Sequence, residues 1–162
     1  MSTTKVGTRL LGTGSVIQTA TFQSGALFST SGLIPPDDTI PQITEGGEWT
    51  NIVFTPKSST SSLHLHANLY MGYDGTSVFV SAAIFRDAVA DALAAMTMYT
   101  VSGSGASRGL SLVHTMTSGT TAAITFRVRV GASSGNAYIN GAITRTFGGV
   151  GASSFVITEI AA

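Results

Sequence analysis

The stretch LHLHANLYMGYDGTSVFVSAAIF, Leu63 to Phe85, alternates apolar and polar residues on both sides of Asp74-Gly75. Such alternation marks half-buried strands, and an Asp-Gly dipeptide tolerates the positive φ angles of a two-residue hairpin turn. Counting outward from that turn pairs Met71 with Val78, Leu69 with Val80, Ala67 with Ala82 and Leu65 with Ile84. Every member of this set is apolar, so the face lies on a core. The other face carries Tyr70/Phe79, Asn68/Ser81, His66/Ala83 and His64/Phe85. It is too aromatic to be left in water. Either a second layer of the same chain or an identical neighbour is expected to cover it.

Composition sets the frame. A chain of 162 residues is long enough for one domain with a sizeable core. Formal net charge is zero, with Lys+Arg 8 and Asp+Glu 8, which argues against a nucleic-acid binder, since that needs a basic face. With no cysteine there is no disulfide framework, thiolate metal site or cysteine nucleophile. Charged residues make up 10% of the chain, well below the usual quarter or so. A surface this poor in charge is prone to associate, and an oligomer that buries part of it is the natural remedy. No apolar run is long enough to insert in a membrane. MSTTKVGTRLLGTGSVIQ lacks the apolar core of a secretory signal, so synthesis in a cytoplasm without a signal peptide is expected.

Residues 1–19 are polar and Gly/Thr-rich, read as a tail or an arm that orders on a partner; residues 20–162 form the β domain. Within it, Ala20–Phe28 is a weak strand. Gly32–Trp49 is an extended connector in which Pro35, Pro36 and Pro41 forbid helix. Thr50–Phe54 is a short strand. Residues 86–96 (RDAVADALAAM) place Val89, Leu93 and Met96 at i, i+4 and i+7, which suits a short helix or else an Ala-rich loop. Thr97–Val101 is a strand, and Ser102–Gly109 a loop. A second hairpin is expected, with Leu110, Leu112, His114 and Met116 facing Ile124, Phe126, Val128 and Val130 across Ser118-Gly119-Thr120, so that Leu112 meets Phe126. Its reverse side shows Thr125, Arg127 and Arg129. Ala137–Arg145 and Ser154–Ile160 complete the strands. Many short strands with small-residue turns predict an all-β antiparallel sandwich or jelly roll, with at most one short helix near 86–96.

DDTIPQITEG (Asp37–Gly46), AIFRD (Ala83–Asp87), FRVRVG (Phe126–Gly131) and FGGVGASSFVITEI (Phe147–Ile160) occur in an order and spacing that resemble a family of tailed-phage fibre and spike proteins. That family includes tail fibres and head fibres and is also found in prophages and phage-like particles. The resemblance covers roughly Phe22 to Ile160. It implies a homotrimeric jelly roll, similar in layout to tumour-necrosis-factor-like folds, carried on a virion. No catalytic residues come with it. Long fibres have an extended shaft, whereas about twenty residues precede the domain here. That departure favours a short fibre, spike or decoration protein attached to neighbouring virion proteins through its N-terminal arm.

His64 and His66 sit at i and i+2 on one strand, on the same face and roughly 7 Å apart. Around a threefold axis they would offer six imidazoles, a set suited to iron, nickel or zinc; otherwise they are interface histidines bonded to Ser or Asn. Together with Tyr70, Phe79, Ala83 and Phe85 they form the expected trimer interface. Asp37, Asp38, Glu45 and Glu48 lack the spacing of a calcium loop and read as a solvated acidic connector. Asp87 and Asp91 mimic a carboxylate pair, but no sugar cleft accompanies them. H-E-x-x-H and phosphate-loop motifs are absent from the sequence.

Binding chemistry in a sandwich goes to loops at its ends. Gly72–Thr76, Ser102–Gly109 and Gly131–Asn136 carry Tyr73, Asp74, Arg108 and Asn136, with Tyr73 read as an exposed ring for stacking on a sugar and the others as hydrogen-bonding partners. The expected function is that of a virion structural protein, a short fibre or spike that binds a host surface glycan or protein receptor. The alternative is a capsid decoration or head-fibre protein that stabilises the shell and binds no receptor. An enzymatic role is not expected, and neither is a cofactor.

Overall fold

The structure is a computed structural model that describes residues 12–74, 78–100 and 107–162. Two antiparallel sheets pack face to face. The first runs β1 (Val16–Ser24), β12 (Ser153–Ile160), β4 (Ser62–Tyr73), β7 (Ser107–Thr117), and the upper part of β4 also pairs with β9 (Ala137–Ile139), which carries β2 (Phe28–Thr30). The second runs β3 (Gly47–Phe54), β8 (Ile124–Ala132), β5 (Val78–Arg86), β6 (Ala94–Thr100). Two short strands, β10 (Gly141–Ala142) and β11 (Thr144–Arg145), pair with each other beside a 3₁₀ turn at Phe147–Gly149. From β2 to β9 the chain changes sheet at every step except β5 to β6, as in the connectivity of a jelly-roll sandwich.

The strands Leu63–Phe85 form where expected, but they do not form a hairpin. β4 pairs with β12, β7 and β9, while β5 pairs with β6 and β8. Leu65, Ala67, Leu69 and Met71 therefore face Val80, Ala82 and Ile84 across the sandwich interior, and all are buried. The apolar face was read correctly and the partner was not. A chain that crosses between stacked sheets leaves the same alternation as one that folds back beside itself, because both arrangements bury every second residue. The second expected hairpin fails for the same reason: Leu112 pairs with Ala67 in one sheet, and Phe126 pairs with Ile52 and Arg86 in the other. Residues 75–77 of the Asp-Gly turn lie outside the described residues.

Residues 86–96 are not helical. β5 ends at Arg86, β6 starts at Ala94, and the backbone between them bonds outward to the connector: Ile43 N–H donates to Ala90 O at 2.7 Å and Ala92 N–H to Pro41 O at 3.0 Å. Those bonds replace the i to i−4 ladder, and Val89 and Met96 are left exposed. Ala137–Arg145 is broken into β9, β10 and β11 by Asn140 and Ile143, whose φ angles of 65° and 64° are left-handed. β1 begins at Val16, so residues 16–19 of the stretch read as an arm are strand.

The connector lies across the outer side of the β3-β8-β5-β6 sheet. Ile34 N–H donates to Ala132 O, and Arg129 donates to the Glu45 and Gly46 carbonyls at 2.7 Å each. The approach is close enough that a Cβ on Gly131 would stand 2.7 Å from Gly32 O, which is why glycine ends the FRVRVG run.

Candidate functional site

The two outer faces of the sandwich differ in kind. On the β3-β8-β5-β6 sheet the outward residues Ser81, Ala83 and Phe85 are buried beneath the chain's own segments. Arg127 and Arg129 there reach Glu48 at 3.4 and 3.8 Å. The middle of that side is covered within one chain, while Val53, Phe79 and Tyr99 on its strands stay exposed.

On the other sheet the register lines up outward residues in rows across β1, β12, β4 and β7. One row is Thr19, Thr158, His64, Thr115; the next is Thr21, Val156, His66, Val113; a third is Gln23, Ser154, Asn68, Ser111. Among the described residues of these rows none carries a formal charge. His64 and His66 are exposed, and Val113 is 64% exposed. A shallow cleft lined by His64, His66, Val113, Val156 and Thr158 marks the middle of this face. His66 Nε2 lies 2.9 Å from Ser111 Oγ, which fixes the ring against β7.

This geometry splits the expected interface set. His64 and His66 lie on the charge-free face with half-buried Tyr70. Phe79 lies on the opposite sheet, packed at a 45° tilt against Tyr99 with ring centroids 4.8 Å apart. Ala83 and Phe85 are fully buried inside the monomer and are not available to a partner. The error follows from the hairpin: once β4 and β5 belong to different sheets, their outward faces point to opposite sides. Val113 and Val156 were missed because strand order, not sequence, sets them beside His66. For a metal, His64 and His66 supply two ligands, and the described residues hold no group of three or more His, Cys, Asp or Glu suited to an ion.

The described residues of the expected receptor loops lie at one end of the sandwich. Tyr73 pairs with Ala137, Gly72 with Ser107 and Met71 with Arg108. Asp74 accepts hydrogen bonds from Tyr138 Oη at 2.9 Å and Asn136 Nδ2 at 3.1 Å. Burial pushes the Asp74 carboxyl upward, but these bonds outweigh it and hold the group below its usual range. Tyr138 is pushed the other way, by burial first and then by its bond to Asp74 and that carboxylate's charge. Asp74 and Asn136 thus brace one another. Tyr73 is 7% exposed, a core ring and not a stacking platform. Arg108 alone of the four is exposed, with Tyr138 beside the brace as the residue the sequence did not single out. Residues 101–106 of the neighbouring loop lie outside the described residues.

The sequence matches no protein-family model and no curated protein. Among solved structures, the structure of infectious bursal disease virus, Gx strain, aligns over 90% of this chain and 33% of its own at 12% identity and a TM-score of 0.49. The VP2 subviral particle of the same virus aligns over 91% and 34% at 11% identity and a TM-score of 0.47. The C-terminal domain of EclA, described as a sugar-binding protein, aligns over 70% and 73% at 10% identity and a TM-score of 0.43. The chain spans about a third of the length of the viral proteins it aligns with. With TM-scores below 0.5 and identities of 10–12%, these likenesses establish neither family nor function for this chain.

Proposed function

We propose that the chain is a virion structural protein, a short phage fibre or spike that assembles as a homotrimer and carries a host-receptor-binding end. The observation that supports this reading is the contrast between its two outer faces. One is crossed by the chain's own connector and carries ion pairs; the rows of the other that lie across β1, β12, β4 and β7 are rich in Thr, Val and His and free of formal charge. A face without charge meets its own copy with no like-charge repulsion, and closed symmetry covers such a patch in every subunit. His64 and His66 of several subunits would then supply the ligands for a transition metal that one chain lacks. The residues before β1 attach the trimer to a neighbouring virion protein, and the Arg108 end meets a surface glycan or protein.

The test is sedimentation of the purified protein, with and without chelator, combined with localisation on particles by reconstruction. A trimer projecting from a tail or vertex is expected. A monomer would overturn the assembly reading. A trimer lying flat at threefold positions of the shell would replace the receptor role with decoration.

A further inference from the structure

The connector does not lie flush on the sheet beneath it. Between it and the start of β6 runs a cleft of about 450 Å³, with Ile40, Pro41 and Ala92–Ala95 as walls and floor and Asp37 and Asp38 at its rim. A second opening shares Asp37, Thr39, Pro41 and Ala95 with it and extends to Met96. Ile40 and Met96 are 55% and 48% exposed, so the trough is apolar within and acidic at one edge.

The ion pairs among the described residues are Arg86–Asp87, Arg127–Glu48 and Arg129–Glu48; Asp37 and Asp38 take part in none. Asp37 is turned toward Thr39, whose hydrogen bonds depress its pKa, so it carries charge at neutral pH. The chain holds a segment of complementary chemistry. Residues 1–11, MSTTKVGTRLL, contain Lys5 and Arg9 interleaved with Val6, Leu10 and Leu11, and contain no acid.

We propose that this trough is the docking site for residues 1–11 of the same chain, with Lys5 or Arg9 at Asp37 and Asp38 and the apolar residues over Ile40 and Met96. Reach permits it. Gly14 is tied to the end of β12 by its bond to Ala161 O, at the same end of the sandwich where β5 leaves for the trough. Nine extended residues from Lys5 to Gly14 span about 30 Å, and crossing three strand spacings and one sheet gap takes roughly 14 and 10 Å. The inference is independent of the trimer reading. It adds that the attachment segment is held on the domain until a virion partner displaces it.

Zero-length carbodiimide coupling of the full chain, read by mass spectrometry, tests the contact. Cross-links from Lys5 to Asp37 or Asp38 are expected. Tryptic cleavage after Lys5 and Arg9 should run at least fivefold faster in Asp38→Asn and in the Asp37→Asn/Asp38→Asn double variant, and high salt should bring the native protein up to their rate. Asn keeps the Oδ1 acceptor that Thr39 uses, so the connector stays folded. Equal cleavage rates, or Lys5 cross-links elsewhere, would overturn the proposal. Cross-links joining isotopically labelled to unlabelled copies in a co-assembled sample would move the segment to a neighbour and overturn the same-chain assignment.

Discussion

Glu159 accepts a 2.6 Å hydrogen bond from Ser61 Oγ, across 98 positions of sequence and with both residues fully buried. The same carboxylate accepts from the backbone N–H of Lys57 and Ser58, at 2.9 and 3.1 Å, and from Gln18 Nε2 at 2.6 Å. One side chain on β12 therefore ties down the β3–β4 loop and the start of β1. Burial works to raise its pKa, yet the converging donors outweigh burial and lower it.

Glu159→Ala leaves those buried donors without an acceptor and should cost roughly 2–4 kcal/mol, read as a fall in the urea midpoint. The pH dependence follows from the lowered folded-state pKa. The stabilisation is fully present above the ordinary carboxylate pKa of the unfolded chain and is lost as pH falls through the folded value. Glu159→Gln should flatten the stability curve on that acid side. An unchanged acid limb in Glu159→Gln would assign acid sensitivity to other carboxylates.

Asn140 offers a second test of buried polar order. Its Nδ2 donates to Ser24 O and Ala26 O at 2.7 and 2.9 Å, and its Oδ1 accepts from Ser153 Oγ at 2.7 Å, all at a φ of 65°. Asn140→Gly should cost about 2–3 kcal/mol for the lost bonds. Asn140→Ala should cost about 1 kcal/mol more, because a Cβ disfavours the left-handed backbone. Equal stabilities for the two variants, measured by denaturant unfolding, would show that the backbone there relaxes.

These long-range ties explain how much of the molecule the sequence revealed. Alternation identified the core residues of β4, β5, β7 and β8, because burial on one face is a local property of a strand. Partner choice is not local. Leu65 is as well satisfied by Ile157 and His114 at its sides as it would be by Ile84. The Pro-rich connector was recognised as extended, but not as the lid over Ala83 and Phe85. Of the expected interface, His64, His66 and Tyr70 share one face in the structure; Phe79 was drawn in by a hairpin that does not form. Tyr73 looked exposed because it precedes a turn, whereas its pairing with Ala137 draws it into the core.

Proposed assembly through the charge-free face predicts opposite outcomes for two substitutions. Val156→Asp adds a charge at the centre of that face, next to His66, and should shift the sedimenting species from trimer to monomer at micromolar concentration. Phe79→Asp, on the other sheet, should leave the trimer intact. Both positions are solvent-facing enough to spare the core, so far-ultraviolet circular dichroism should match the native protein. A trimeric Val156→Asp variant would show that this face is not the contact.

The receptor end yields the last prediction. Arg108 is exposed on β7, across β4 from the brace in which Asp74 is held by Asn136 and Tyr138, and it presents one guanidinium with five donors. Such a group suits carboxylates, phosphates or sugar hydroxyls on a host surface. Arg108→Ala should leave the fold and the sedimentation coefficient unchanged and reduce particle adsorption at least tenfold. Arg108→Lys should recover only part of it, because an ammonium keeps the charge and loses the bidentate fork. Tyr73→Ala is unsuitable as a probe: it removes a buried ring and should unfold this end, with loss of adsorption for a structural reason. Tyr138→Phe discriminates better. It keeps the ring, removes one donor from Asp74, and should lower adsorption only modestly if the brace acts by positioning. Unchanged adsorption for Arg108→Ala on particles that carry the normal number of trimers would move recognition away from this end and favour the decoration role.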